Sequence, residues 1–155
     1  MPSDEQLSPH FQLSEFLHSQ AAARLGLANE PPPAALNNLR RLALGLELVR
    51  QALGGVPLLI SSGYRSPEVN RAVGGAAASA HLAGLAADFT APRFGPPREI
   101  CRALAKAGIA FDQLICEGTW VHFAIAPAGV QPRGDQLTAV FRPGSPTTYL
   151  AGGFA

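Results

Sequence analysis

The chain has 155 residues and a mass of 16.2 kDa, enough for one compact domain around one hydrophobic core. Apolar residues make up 47% and charged residues 15%, with 16 glycines and 14 prolines that follow no period, which excludes collagen-like repeats and charge-driven disorder. Twelve basic against eleven acidic residues give a formal net charge of +1, and with no run of like charges a broad footprint for nucleic acid is excluded; a small specific partner is expected.

Residues 1–13 read as a polar lead, followed by a short helix capped by Ser14 that runs to about Leu25 and by a breaker at Pro31, Pro32 and Pro33. This stretch is expected to lie on the domain surface. Asp4, Glu5 and Glu15 stand where a signal peptide would carry a basic and then an apolar region, and the longest apolar stretches are interrupted by Glu47 and Arg50 or by glycine and proline. Neither a signal peptide nor a membrane span is expected, and synthesis in a cytoplasm follows as the default. Leu36, Leu39, Ala43, Leu46 and Val49 then take the three-and-four spacing of an amphipathic helix, with Gly54-Gly55 as its stop. Leu58 to Ser62 reads as a strand introduced by Pro57, and Ser66-Pro67-Glu68 opens a second short helix that Gly74-Gly75 ends. A loop of small residues, Ala76 to Gly84, leads into a strand from Leu85 to Thr90. Pro96 to Ala107 reads as a helix stopped by Gly108, and Phe111 to Glu117 with Trp120 to Ala126 as two strands. From residue 127 to 155 the chain is expected to be loop-rich, with strands at Leu137 to Phe141 and Thr147 to Leu150. The pattern predicts a single α+β domain over 1–155, with N-terminal helices and an antiparallel sheet. Cys101 and Cys116 are too few for a disulfide scaffold and are expected to be buried small hydrophobes.

Two of the four histidines, His81 and His122, stand beside strand patterns with a carboxylate at short range. Strand alternation puts Ala86, Asp88 and Thr90 on one face and Leu85, Ala87 and Phe89 on the other. A carboxylate among such apolar neighbours needs a partner: a cation, backbone donors or a metal. In Glu117-Gly118-Thr119-Trp120 a glycine at the first central position suits a two-residue hairpin turn. Across that turn Glu117 opposes Trp120 and Ile115 opposes His122, so Glu117, Trp120 and His122 share a face despite their odd spacing. Two imidazoles and one carboxylate with an open fourth position suit a catalytic zinc, and a second carboxylate nearby suits proton transfer from water. For an isolated buried histidine, a satisfied core residue is the ordinary reading. Other hydrolytic signatures are missing: no Gly-x-Ser-x-Gly elbow, no Ser-x-x-Lys near a strand, and Cys116 on the wrong face for a dyad with His122.

Three blocks in order, Ser62-Gly63-Tyr64-Arg65-Ser66-Pro67, then Ser79-Ala80-His81-Leu82-Ala83-Gly84-Leu85-Ala86-Ala87-Asp88, then Trp120-Val121-His122, resemble the zinc D-Ala-D-Ala carboxypeptidase family among the hedgehog-like metallopeptidases. The resemblance runs over roughly residues 8–126. It implies that His81, Asp88 and His122 ligate zinc, that Glu117 is the general base or orients water, and that Arg65 steadies the substrate carbonyl or carboxylate. It also implies substrate contact for Ser79. Tyr64, at core or rim, and Trp120, as a packed cleft wall, complete the candidate substrate-binding residues. The chain departs from the commonest family pattern at Ala80, and its acid, Glu117, stands five positions before the last ligand; Thr119 holds the position three before it. Asp112 is expected to be a turn or surface residue.

The expected activity is zinc-dependent hydrolysis of peptide bonds in the peptidoglycan stem, as carboxypeptidase or endopeptidase. The expected protein is a monomer without a nucleic-acid partner, acting on the cell wall after phage-type release or other export. The rival reading is a non-catalytic, zinc-containing binding module for wall peptide or a protein partner, and Glu117 is the residue that decides between them.

Overall fold

In the computed structural model, which describes residues 4–154, the apolar stripe of the long amphipathic helix faces the core: Leu39, Ala43, Leu46 and Val49, joined by Leu42, are buried in α3 (Pro33–Ala52), and Leu36 is partly buried. Pro33 suits its first turn, where no N–H partner is needed. Gly45 lets the helix approach the sheet closely, since a Cβ there would lie 3.3 Å from Ile125 and 3.4 Å from Phe123.

The segment before α3 differs from the expectation. Its polar lead forms a small hairpin, β1 (Gln6–Ser8) and β2 (Phe11–Gln12), and the single expected helix is two, α1 (Leu13–Leu17) and α2 (Gln20–Leu25). Gln12 and Glu15 close a capping box on α1, while Ser19 caps α2 by accepting from the Ala22 amide at 3.1 Å, so the chain is re-capped where one helix was expected to continue. Nor is this stretch merely superficial. Phe11 and Phe16 are buried in the main core, and the Tyr64 amide donates to the Phe16 carbonyl at 2.8 Å.

After α3 come β3 (Leu59–Ser62), α4 (Pro67–Ala72), β4 (Ala86–Thr90), α5 (Pro97–Ala107), β5 (Gln113–Cys116), β6 (Val121–Ala124), β7 (Asp135–Val140) and β8 (Thr148–Ala151). Ser66 caps α4, and Gly108 ends α5 in the left-handed conformation. Within the expected small-residue loop, Ala80–Ala83 forms one 3-10 turn. The main sheet has the order β3-β4-β6-β5-β7-β8, giving an α+β domain with the helices concentrated in the first half of the chain. Its pairs are antiparallel as expected, except that β5 and β7 run parallel. The link after β6 returns the chain past β5, so β7 opposes β6 in direction and matches β5.

Alternation gives this sheet two uses. Ala87, Phe89, Leu114, Cys116, Val121 and Phe123 enter the core with α3 and α5, while Asp88, Ile115 and His122 face the other way. Both cysteines are buried and unpaired. No helix among the described residues is long and apolar enough to cross a membrane.

Candidate metal centre

Three separate elements converge on the open face of the sheet. Asp88 on β4 pairs in register with His122 on β6, and His122 is in turn opposite Ile115 on β5. The β5–β6 turn is the expected one: the Glu117 amide donates to the Trp120 carbonyl at 3.0 Å and Gly118 takes φ +87°. His81 arrives from the 3-10 turn, where its amide donates to the Ser79 hydroxyl at 3.3 Å. The ligand atoms of His81, Asp88 and His122 all lie within 4.8 Å of one another.

The donor chemistry fits a metal. His81 Nδ1 is 2.7 Å from the Gly63 carbonyl oxygen, which can only accept, so the ring proton belongs on Nδ1. Nε2 then presents a lone pair. It is buried without a hydrogen-bond partner and faces Asp88 Oδ1 at 3.3 Å, while His122 Nδ1 lies 3.1 Å from the same oxygen. A lone pair directed at a carboxylate calls for a cation between them, and two imidazole nitrogens with one carboxylate oxygen are a donor set that suits zinc. Burial pushes the Asp88 carboxyl up, but the two imidazoles beside it, His122 first and then His81, outweigh burial and hold the group well below the usual carboxylate range. Asp88 is therefore ionised at neutral pH.

Glu117 is half-buried beside this cluster. Burial raises its carboxyl, the charge of His122 lowers it, that of Asp88 raises it again, and the net displacement is upward, toward the range useful for proton transfer. Arg65 is also mostly buried: Nη1 donates to Asn70 Oδ1 at 3.1 Å, Nη2 stands 3.9 Å from Asp88 Oδ2, and Nε has no partner. Burial lowers its guanidinium more than Asp88 raises it, although an arginine remains charged.

Of the residues singled out in the sequence, His81, Asp88, His122, Glu117, Arg65, Ser79 and Trp120 line one cavity of about 610 Å³. Tyr64 does not join them. It is 4% exposed and packed in the core, because the turn that presents Arg65 directs the preceding side chain inward; its place is structural. Asp112 is held in an ion pair with Arg133 at 2.9 Å, away from the cluster. A second cavity of about 680 Å³ shares Arg65, Asp88 and Trp120 with the first and extends to His18 and Arg24. Sequence reasoning missed Asn70 and the C-terminal residues Phe141, Thr147 and Tyr149 on the cavity wall. The latter fall on the strands expected at Leu137 to Phe141 and Thr147 to Leu150, an expectation that could not say which sheet edge those strands join.

A family model described as Peptidase M15 matches residues 9–124, from the first hairpin to the end of β6, and takes in all three candidate ligands. No curated protein matches the chain.

Proposed function

The chain belongs to the Peptidase M15 family, the zinc D-Ala-D-Ala carboxypeptidase family, and from that premise we propose that this metallopeptidase hydrolyses peptide bonds of the peptidoglycan stem as an endopeptidase. The observation that carries the peptidase reading is the convergence of His81, Asp88 and His122 with Glu117 in one cavity. His81, Asp88 and His122 would hold zinc. When bound, the metal supplies a Lewis acid that polarises a carbonyl and makes water acidic enough to attack at neutral pH. Glu117 accepts the proton of the attacking water and passes it to the leaving amine, a role suited to a carboxyl raised above its usual range. Arg65 offers its fixed fork to the carbonyl oxygen as charge develops there.

The shape of the cleft supports attack within a chain. The two cavities meet at Arg65, Asp88 and Trp120, so peptide can extend to either side of the cluster. The test is digestion of purified peptidoglycan by the zinc-loaded protein, with mass spectrometry of the products. Cleaved cross-links with new internal amino and carboxyl termini are expected. Release of single D-alanine residues alone would make the enzyme a carboxypeptidase, and binding of the wall without any new terminus would favour the binding module.

A further inference from the structure

The wall of the cavity farthest from α2 is built by residues beyond the stretch that matches the family, 9–124. β7 adds to β5, the strand that leads into Glu117, and β8 adds to β7. The ring of Phe141 closes on the β5–β6 turn, where a Cβ on Gly118 would lie 3.0 Å from it. Register then places one further residue. Ile115 pairs with Leu137 and Ala139 with Tyr149, so by alternation Glu117, Ala139 and Tyr149 stand in one row across three strands on the face that carries Asp88 and His122. Two strand spacings, about 10 Å, separate the ends of that row. Ala139 is buried between them, and Glu117 and Tyr149 both line the cavity that holds the cluster.

We propose that Tyr149, delivered by the β7–β8 hairpin, is a catalytic residue whose hydroxyl donates a hydrogen bond to the scissile carbonyl oxygen as negative charge develops there. The inference rests on the peptidase reading. The position of the phenol suits that role, since β8 is an edge strand with every residue exposed and Tyr149 is 48% exposed, so no packing demand accounts for a phenol at this place. Burial and the charges of Glu117 and Asp88 push the phenol upward, which keeps its proton available for donation.

The test compares zinc-loaded wild type, Tyr149→Phe and Leu150→Ala, whose side chain lies on the opposite face of β8. Each is assayed for kcat and KM on a stem peptide, for zinc content, for Tm, and by calorimetry for affinity toward a phosphinate isostere of that peptide, which imitates the tetrahedral oxyanion. Tyr149→Phe should retain zinc and Tm, keep KM within about twofold, and lose about a hundredfold in both kcat and phosphinate affinity. Leu150→Ala should match wild type. Wild-type kcat and phosphinate affinity in Tyr149→Phe overturn the role of Tyr149 and leave the peptidase reading standing. A wild-type protein that neither cleaves the peptide nor binds the phosphinate overturns that reading and this inference with it.

Discussion

The Nδ1 atom of His81 lies 2.7 Å from the carbonyl oxygen of Gly63, so the backbone at the end of β3 fixes which imidazole nitrogen is turned toward Asp88. The Arg65 amide donates to the His81 carbonyl at 3.1 Å and ties the same two segments a second time. Gly63 is held to glycine by contact: a Cβ there would stand 2.7 Å from both the Cα and the carbonyl oxygen of Phe16. Backbone of α1 cannot yield as a flexible side chain would, so Gly63→Ala must displace the carbonyl that orients His81. Zinc affinity, measured by competition with a chelator, should fall about 10- to 100-fold, the scale for losing the group that orients a ligand. His122→Ala, which removes a ligand outright, should hold no zinc after mild chelation. Unchanged affinity in Gly63→Ala would mean that the Gly63 carbonyl does not orient the ligand.

Much of this centre was legible because it is written in local rules. Alternation placed Asp88, and the Gly118 turn placed Glu117, Trp120 and His122 on one face, each needing only a strand and its neighbour. What was not legible depends on distant packing. The burial of Phe11 and Phe16 is decided by α3 and the core, and the parallel pairing of β7 with β5 by the path of the link after β6. The choice between core and rim for Tyr64 was open for a related reason: its neighbour Arg65 faces the cleft, and only the tertiary fold shows that the turn sends Tyr64 into the core.

Asn70 is the support that sequence reasoning did not find for Arg65. It is 4% exposed, accepts from Arg65 Nη1 at 3.1 Å and donates from Nδ2 to the Ala76 carbonyl at 2.9 Å, holding the guanidinium against the loop that leads to His81. Arg65→Lys should keep zinc and fold yet lose about 10- to 1000-fold in kcat, because a lysine offers no fixed fork. Asn70→Ala should lose activity in the same direction with zinc retained. Normal turnover in Arg65→Lys would reduce the residue to a partner of Asp88.

Glu47 clasps the N-terminal hairpin to α3: it accepts from the Ser8 hydroxyl at 2.6 Å and the His10 amide at 2.8 Å, and its other oxygen lies 2.7 Å from His10 Nδ1. Burial raises its carboxyl, but the hydrogen bonds from Ser8 and His10 outweigh this and leave it below the usual range. A folded-state value below the unfolded one stabilises the protein above the unfolded value, about 4.3 for glutamate, and that contribution is lost as pH falls through the folded value. Glu47→Gln should therefore cost about 1–2 kcal/mol at pH 7, and the difference from wild type should shrink in acid. Chemical denaturation at a series of pH values checks both. A penalty that stays constant down to acid pH would show that the carboxylate charge contributes nothing.

Glu117 has the opposite sign, and this separates its catalytic role from a structural one. Its folded-state carboxyl is raised, chiefly by burial, so the native state holds the proton more tightly than the unfolded chain does. Stability from this group is present at low pH and lost as pH rises through the folded value. In metal-free protein, Glu117→Gln should consequently match wild type below about pH 4 and become the more stable of the two toward neutrality, read as Tm against pH. Catalysis should run the other way. Only the ionised carboxylate accepts a proton, so wild-type kcat/KM should rise with pH along an acid limb that reports the deprotonation of Glu117. Glu117→Gln should lose that limb and about a hundredfold or more of its activity at neutral pH, while keeping zinc. A variant that gains stability and also hydrolyses normally would leave Glu117 as a buried acid of the cleft wall and assign the proton transfer elsewhere.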